Sequence, residues 1–217
     1  MIRSGRSLLP LLIVAALLAA CASSGEAKPV QIAQPLPDQE SLSYDLLDRD
    51  GHQLGSAAVS IQRQGTALVL GQRYTDLSGH TDSLSATVDA TTLLPQSAQR
   101  TINSADVQAT LNLQYGNGQV TANVSYNGKQ HHASEKLTSN SSYDDQESFF
   151  LMRTVDFVPG NVSHIALVVF DVAKGTISRA AASIRVQGAT TLALGGKNFN
   201  AWQVQLSGAG SVNTAWF

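Results

Sequence analysis

The run Val107-Gln108-Ala109-Thr110-Leu111-Asn112-Leu113-Gln114-Tyr115, the turn Gly116-Asn117-Gly118 and the run Gln119-Val120-Thr121-Ala122-Asn123-Val124-Ser125-Tyr126 decide the fold class. Successive side chains of an extended chain point to opposite faces. Val107, Ala109, Leu111 and Leu113 therefore share one face, and Gln108, Thr110, Asn112 and Gln114 share the other. One side is buried and one is wet, as expected of an antiparallel hairpin in a sheet covered on a single face.

The same two-residue period extends in both directions. Upstream it predicts strands over 44–47, 54–62, 66–75, 83–89 and 99–103, with Asp48-Arg49-Asp50-Gly51 and Leu77-Ser78-Gly79 as turns. Downstream it predicts strands over 165–172, 183–187, 190–194 and 199–206, with Gly195-Gly196-Lys197-Asn198 as a turn and an extended run over 211–217. Between these halves the alternation breaks. Phe149, Phe150, Leu151 and Met152 are consecutive and cannot all face one side of a strand, so a short helix packed on the sheet is expected within 146–155. The reading is an all-β, mainly antiparallel meander, a curved sheet or half-barrel with at most one or two short helices.

Three stretches carry a family resemblance. They are Leu93-Leu94-Pro95-Gln96-Ser97 with Arg100; Asp145 to Phe150 with Leu151, Arg153, Phe157 and Gly160; and Gly196, Phe199, Ala201 and Val204 followed by Ala215-Trp216-Phe217. Over roughly residues 41–217 they resemble the bacterial envelope group called domain of unknown function 3108. The resemblance implies a curved antiparallel sheet similar to the half-barrels of lipoprotein carrier proteins. It brings no enzyme activity and no functional residue. Family members usually continue through a final strand beyond the aromatic pair, and the expectation here is a C-terminal truncation at Phe217.

The amino-terminal residues have a different character. A cationic Met1-Ile2-Arg3-Ser4-Gly5-Arg6 precedes an apolar run from Leu8 to Ala20, broken only by Pro10. That is the layout of a signal peptide, and the run falls short of the ~20 residues a membrane-spanning helix needs. Leu18-Ala19-Ala20-Cys21 resembles the lipobox of bacterial lipoproteins, which implies cleavage before Cys21, a diacylglycerol thioether on it and an acyl group such as palmitate on the new amino terminus. Cys21 is the only cysteine. The alternative is a plain secretory peptide cut near Ala22. The expected organisation is a signal peptide over 1–20, a lipidated flexible tether over 21–40 and a β-domain over 41–217. Ala22 follows the cysteine where an aspartate would retain the protein, so in a source with two membranes the anchor is expected in the outer one, facing the periplasm.

Charge and motifs narrow the chemistry. The chain holds 14 basic and 16 acidic residues; losing Arg3 and Arg6 leaves the mature chain at −4. No Lys/Arg cluster follows a phosphate backbone, so nucleic acid is not an expected partner. His131-His132 reads as a pair of exposed loop histidines, Asp48-x-Asp50-Gly51 as a hairpin turn, and Asp144, Asp145 and Glu147 beside Tyr143 as a solvated loop. No serine-hydrolase elbow, P-loop or His-Glu-x-x-His motif occurs, and no metal or cofactor is expected. Phe149, Phe157 and Trp202 are the candidate ligand-binding residues, set against the alternative that they fill the core. The expected function is a non-enzymatic envelope lipoprotein, held to a membrane by its lipid anchor, that binds an apolar ligand or an envelope protein. Alternatives are an assembly factor binding through a sheet edge and an envelope hydrolase.

Overall fold

The computed structural model describes residues 26–48, 50–137, 141–194, 196–208 and 210–217. Cys21, the expected signal segment, and Arg49 and Gly195 of two expected turns lie outside the described residues.

Eight strands pair antiparallel in chain order: β1 (Gln39–Leu47), β2 (Gln53–Gln64), β3 (Ala67–Asp76), β4 (Thr81–Asp89), β5 (Pro95–Asn103), β6 (Gln108–Gly116), β7 (Gln119–Tyr126) and β8 (Lys129–Lys136). The expected hairpin is β6–β7, with Leu111 opposite Val124 and Leu113 opposite Ala122. Its turn has Asn117 at φ 52° and Gly118 at φ 70°, the paired positive values that match the twist of the flanking strands. This sheet curves but does not close, and β1 and β8 are its ends.

A second sheet follows, in the order β13-β12-β11-β10-β9, from β9 (Ser142–Asp144), β10 (Val162–Asp171), β11 (Thr176–Leu194), β12 (Lys197–Gly208) and β13 (Ser211–Trp216). β9 runs parallel to β10, and a parallel pair requires a crossover. The crossover holds a 3-10 turn at Asp145–Glu147 and the expected short helix, α1 (Ser148–Met152). Phe150 and Leu151 of α1 are fully buried between the sheets, against Leu70, Leu111 and Leu113 of the first and Ile184, Val186 and Val204 of the second in one continuous core.

Several expectations are corrected. β8 was not anticipated, because Lys129-Gln130-His131-His132 lacks apolar alternation; end strands carry polar and charged side chains that discourage further pairing. The histidine pair thus lies on a strand, not a loop: His131 is half-buried opposite Val124, and His132 Nδ1 lies 2.6 Å from Asn123 Oδ1. The two strands expected over 183–194 are one, because a bulge at Val186/Gly188 bends the chain without interrupting its pairing. The expected tether is also corrected from Lys28 onward. Lys28 N–H donates to His164 O at 2.8 Å, and Ala33 and Gln34 N–H donate to Thr154 O at 2.8 and 3.0 Å. Val30 and Leu36 are buried in the core, so this stretch is a fixed part of the domain.

The sheets also meet where the turn before β11 packs on β8. Gly175 has φ +67°, and a Cβ there would stand 2.6 Å from His131 Cγ. Gly175→Ala combines backbone strain with a ring clash and is expected to cost about 1–3 kcal/mol of stability. Thermal unfolding checks this, and adding His131→Ala should recover the clash component alone.

Candidate functional site

The concave face of the first sheet is filled from within. The crossover enters at Asp144, beside Tyr115 of β6, and leaves at Arg153, beside Glu40 of β1. Tyr115 donates its hydroxyl proton to Asp144 Oδ2, Gln72 Nε2 donates to Gln146 O at 2.6 Å, and Arg153 forms a two-pronged pair with Glu40 at 2.5 and 2.9 Å. Tyr143 faces the other way, and its hydroxyl accepts from Val30 N–H at 2.9 Å. The segment from Ser141 to Thr154 therefore acts as a stopper in the half-barrel.

The stopper turns on a reciprocal cap. Asp144 Oδ1 accepts from Gln146 N–H at 2.9 Å, and Glu147 Oε1 accepts from Asp144 N–H at 2.7 Å. Asp144 and Glu147 are fully buried and Asp145 is half-buried, so the expectation of a solvated acidic loop is corrected. Glu147 Oε2, Gln146 Oε1 and Ser142 Oγ are buried without a hydrogen-bond partner. Among the described residues no group of three or more His, Cys, Asp or Glu side chains is arranged to hold a metal ion. The spacing Asp144-x-x-Glu147 ahead of an apolar run is a capping-box signature and was the available sequence signal for this turn.

Burial raises the proton affinity of all three carboxyls. It pushes Glu147 well above the usual carboxylate range, with Asp144 adding repulsion. It pushes Asp145 up to about 7, again with Asp144 adding and the Arg100 guanidinium opposing. Asp144 is raised by burial and partly relieved by its bond from Tyr115. Arg100 is held by Asp82 through bonds of 3.0 and 2.6 Å on the same inner face.

The apolar opening is elsewhere, between the end strands of the two sheets. A cleft of about 630 Å³ has Leu42 and Tyr44 of β1 on one side and Ala215, Trp216 and Phe217 on the other. Pro35, Leu36 and Pro37 cross it, and Phe149, Phe157 and Arg153 form its floor. Two of the three candidate residues thus line the cleft directly. The third stands behind: Trp202 stacks on Phe157 at 6.0 Å, and Phe157 stacks in turn on Phe217 at 6.3 Å, both pairs within 14° of parallel. Phe149 meets Phe217 at 5.7 Å. Leu42, Tyr44 and the Glu40–Arg153 pair were not anticipated, since nothing local in the sequence places β1 opposite β13. No helix among the described residues is long and apolar enough to cross a membrane, which says nothing about strands.

Fold and site define a class: a two-sheet, mainly antiparallel β-domain whose half-barrel is stoppered by its own crossover and whose apolar opening lies at the sheet edges. The chain belongs to the family described as Protein of unknown function (DUF3108), which matches residues 41–217. No curated protein and no solved structure matches it.

The carboxyl cluster sets a pH dependence with a definite sign. The folded state keeps protons that the unfolded chain releases above about pH 4, so its stability falls as pH rises through the folded pKa of Asp145 near 7. The melting temperature should drop between about pH 5 and about pH 8. Glu147→Gln, which keeps an acceptor for Asp144 N–H without an ionisable group, should flatten that drop in a calorimetric pH series.

Proposed function

We propose that the protein is a membrane-anchored envelope lipoprotein, without enzymatic activity, that binds an apolar ligand in the cleft between β1 and β13. The cleft carries this reading. Its volume falls in the usual range for small-molecule sites, its walls are aromatic and aliphatic, and its one charged pair, Glu40–Arg153, is internally neutralised. The aromatic series Phe149, Phe217, Phe157 and Trp202 holds the wall rigid, which lowers the ordering cost of binding. The anchor in this reading is a lipid on Cys21, with the domain in the periplasm or at the cell surface.

A second reading has support from the same place. β1 and β13 are end strands of their sheets and border one cleft, so an extended segment of an envelope partner could add to either edge.

Native mass spectrometry of the full chain purified from membranes, followed by organic extraction, separates the two. Covalent acylation of Cys21 gives a fixed mass increment, and a cleft ligand is a further, extractable species. Phe157→Ala should weaken retention of that species by about tenfold, the loss expected from one aromatic contact surface. A chain carrying no extractable apolar species would sink ligand binding, and co-purification of a protein that depends on the β1 edge would support strand addition instead.

A further inference from the structure

The outer face of the second sheet is set by the same alternation as the core. Ile184, Val186, Val204 and Leu206 point inward and are buried, so Arg185, Gln203 and Gln205 point outward. Val212, Thr214 and Trp216 of β13 sit opposite Ser207, Gln205 and Gln203 and share that outward face. Beyond the bulge Trp202 points inward onto Phe157, which turns Phe199 and Lys197 outward on the projecting end of the β11–β12 hairpin. Val212, Trp216 and Phe199 are 64%, 44% and 48% exposed.

Charge is distributed unevenly. All 16 acidic residues of the chain lie at or before Asp171. From Val172 to Phe217 there are Lys174, Arg179, Arg185 and Lys197 and no acid. Lys174 pairs with Asp171 and Arg179 with Glu135, whereas Arg185 and Lys197 are exposed and in no ion pair among the described residues. The face thus combines exposed aromatic and aliphatic side chains, unpaired cations and neutral Gln, Ser and Thr. That is the composition of a surface that seats at a lipid headgroup boundary, where aromatic side chains partition and each cation is attracted by anionic lipid.

The path of the chain agrees. Lys28 is hydrogen-bonded to His164 on β10, so the chain reaches this sheet within seven residues of Cys21. Seven extended residues span at most roughly 25 Å. An anchor at Cys21 therefore keeps this sheet close to the bilayer.

We propose that the outer face of the second sheet docks on an anionic lipid surface, with Arg185 and Lys197 meeting headgroups and Phe199, Val212 and Trp216 seated at the boundary. The face borders the ligand cleft at Trp216, which lines both, whereas Arg185, Lys197, Phe199 and Val212 lie outside the cleft; only the argument from chain path rests on the anchor reading. The domain then lies flat on its membrane, with the acidic first sheet turned away.

The test uses the full chain reconstituted into phosphatidylcholine vesicles, with or without phosphatidylglycerol, whose acyl chains are brominated to quench tryptophan. The reporter is Phe199→Trp, with Trp202→Phe and Trp216→Phe removing the two native tryptophans, and it sits away from the cleft. Far-ultraviolet circular dichroism and thermal unfolding of the reporter variant, read against the unsubstituted chain, confirm the fold. Docking predicts quenching several-fold stronger with phosphatidylglycerol, weakened by salt and lost when Arg185→Glu and Lys197→Glu are added. Equal quenching in neutral vesicles, or quenching that survives charge reversal, overturns the proposal. The intact mass of the same sample decides the anchor independently: an unmodified Cys21 with charge-dependent quenching sinks the anchor and leaves this face standing.

Discussion

The reciprocal cap between Asp144 and Glu147 is the interaction on which the inner architecture depends. It turns the chain out of β9 at the one place where a parallel strand must hand over to a crossover, and it does so inside the half-barrel. Buried carboxyls are costly as anions and tolerable as neutral, hydrogen-bonded acids. Tyr115, Gln72 and Arg153 each tie the crossover to a different strand of the first sheet. The stopper is thus held by polar bonds, of which those around the buried Asp144 and Glu147 are made in a dry place, where each bond is strong and an unpaired group is expensive.

Filling the concave face moves the apolar opening to the side. A half-barrel with an empty interior would take a ligand between its helix and its sheet, whereas here Phe150 and Leu151 occupy that space. An apolar cleft is left at the gap between β1 and β13, where neither sheet has another strand to cover its end. The stacked rings span the gap: Phe149 and Phe157 come from the crossover, Trp202 from β12 and Phe217 from the chain beyond β13. One aromatic series therefore rigidifies the cleft wall and staples the crossover to the second sheet, each pair adding about 0.5–1.5 kcal/mol beyond area burial.

Much of the fold was legible because one-sided sheets write their period into the sequence. Val107, Ala109, Leu111 and Leu113 could be placed on a common face from alternation alone, and the four adjacent apolar residues at 149–152 pointed to a short helix packed on the sheet. β8 and the first half of β11 were illegible for a physical reason. Lys129 to Lys136 is an end strand with little to bury, and Ala180-Ala181-Ala182 packs closely against β10 and β12 without the bulk that marks a strand. The division into two sheets was hidden because it depends on β9, three residues long and parallel. Phe149 and Phe157, singled out by size and hydropathy, line the cleft. Their partners Leu42, Tyr44 and Glu40 were not singled out, since they lie more than a hundred residues away in sequence and are brought in by sheet curvature.

The docked N-terminal segment also bears on the order of folding. Val30 and Tyr143 are separated by 113 positions, and the other acceptors that fix this segment, Thr154 and His164, lie further still. The eight-stranded meander is made of neighbouring hairpins and pays little loop-closure entropy at each step. The first-synthesised part of the domain is consequently the last that can settle, because its seat does not exist until the crossover and β10 are in place. Until then Val30 and Leu36 have no core to enter, and the carbonyls of His164 and Thr154 lack the amide donors that Lys28, Ala33 and Gln34 supply in the folded domain.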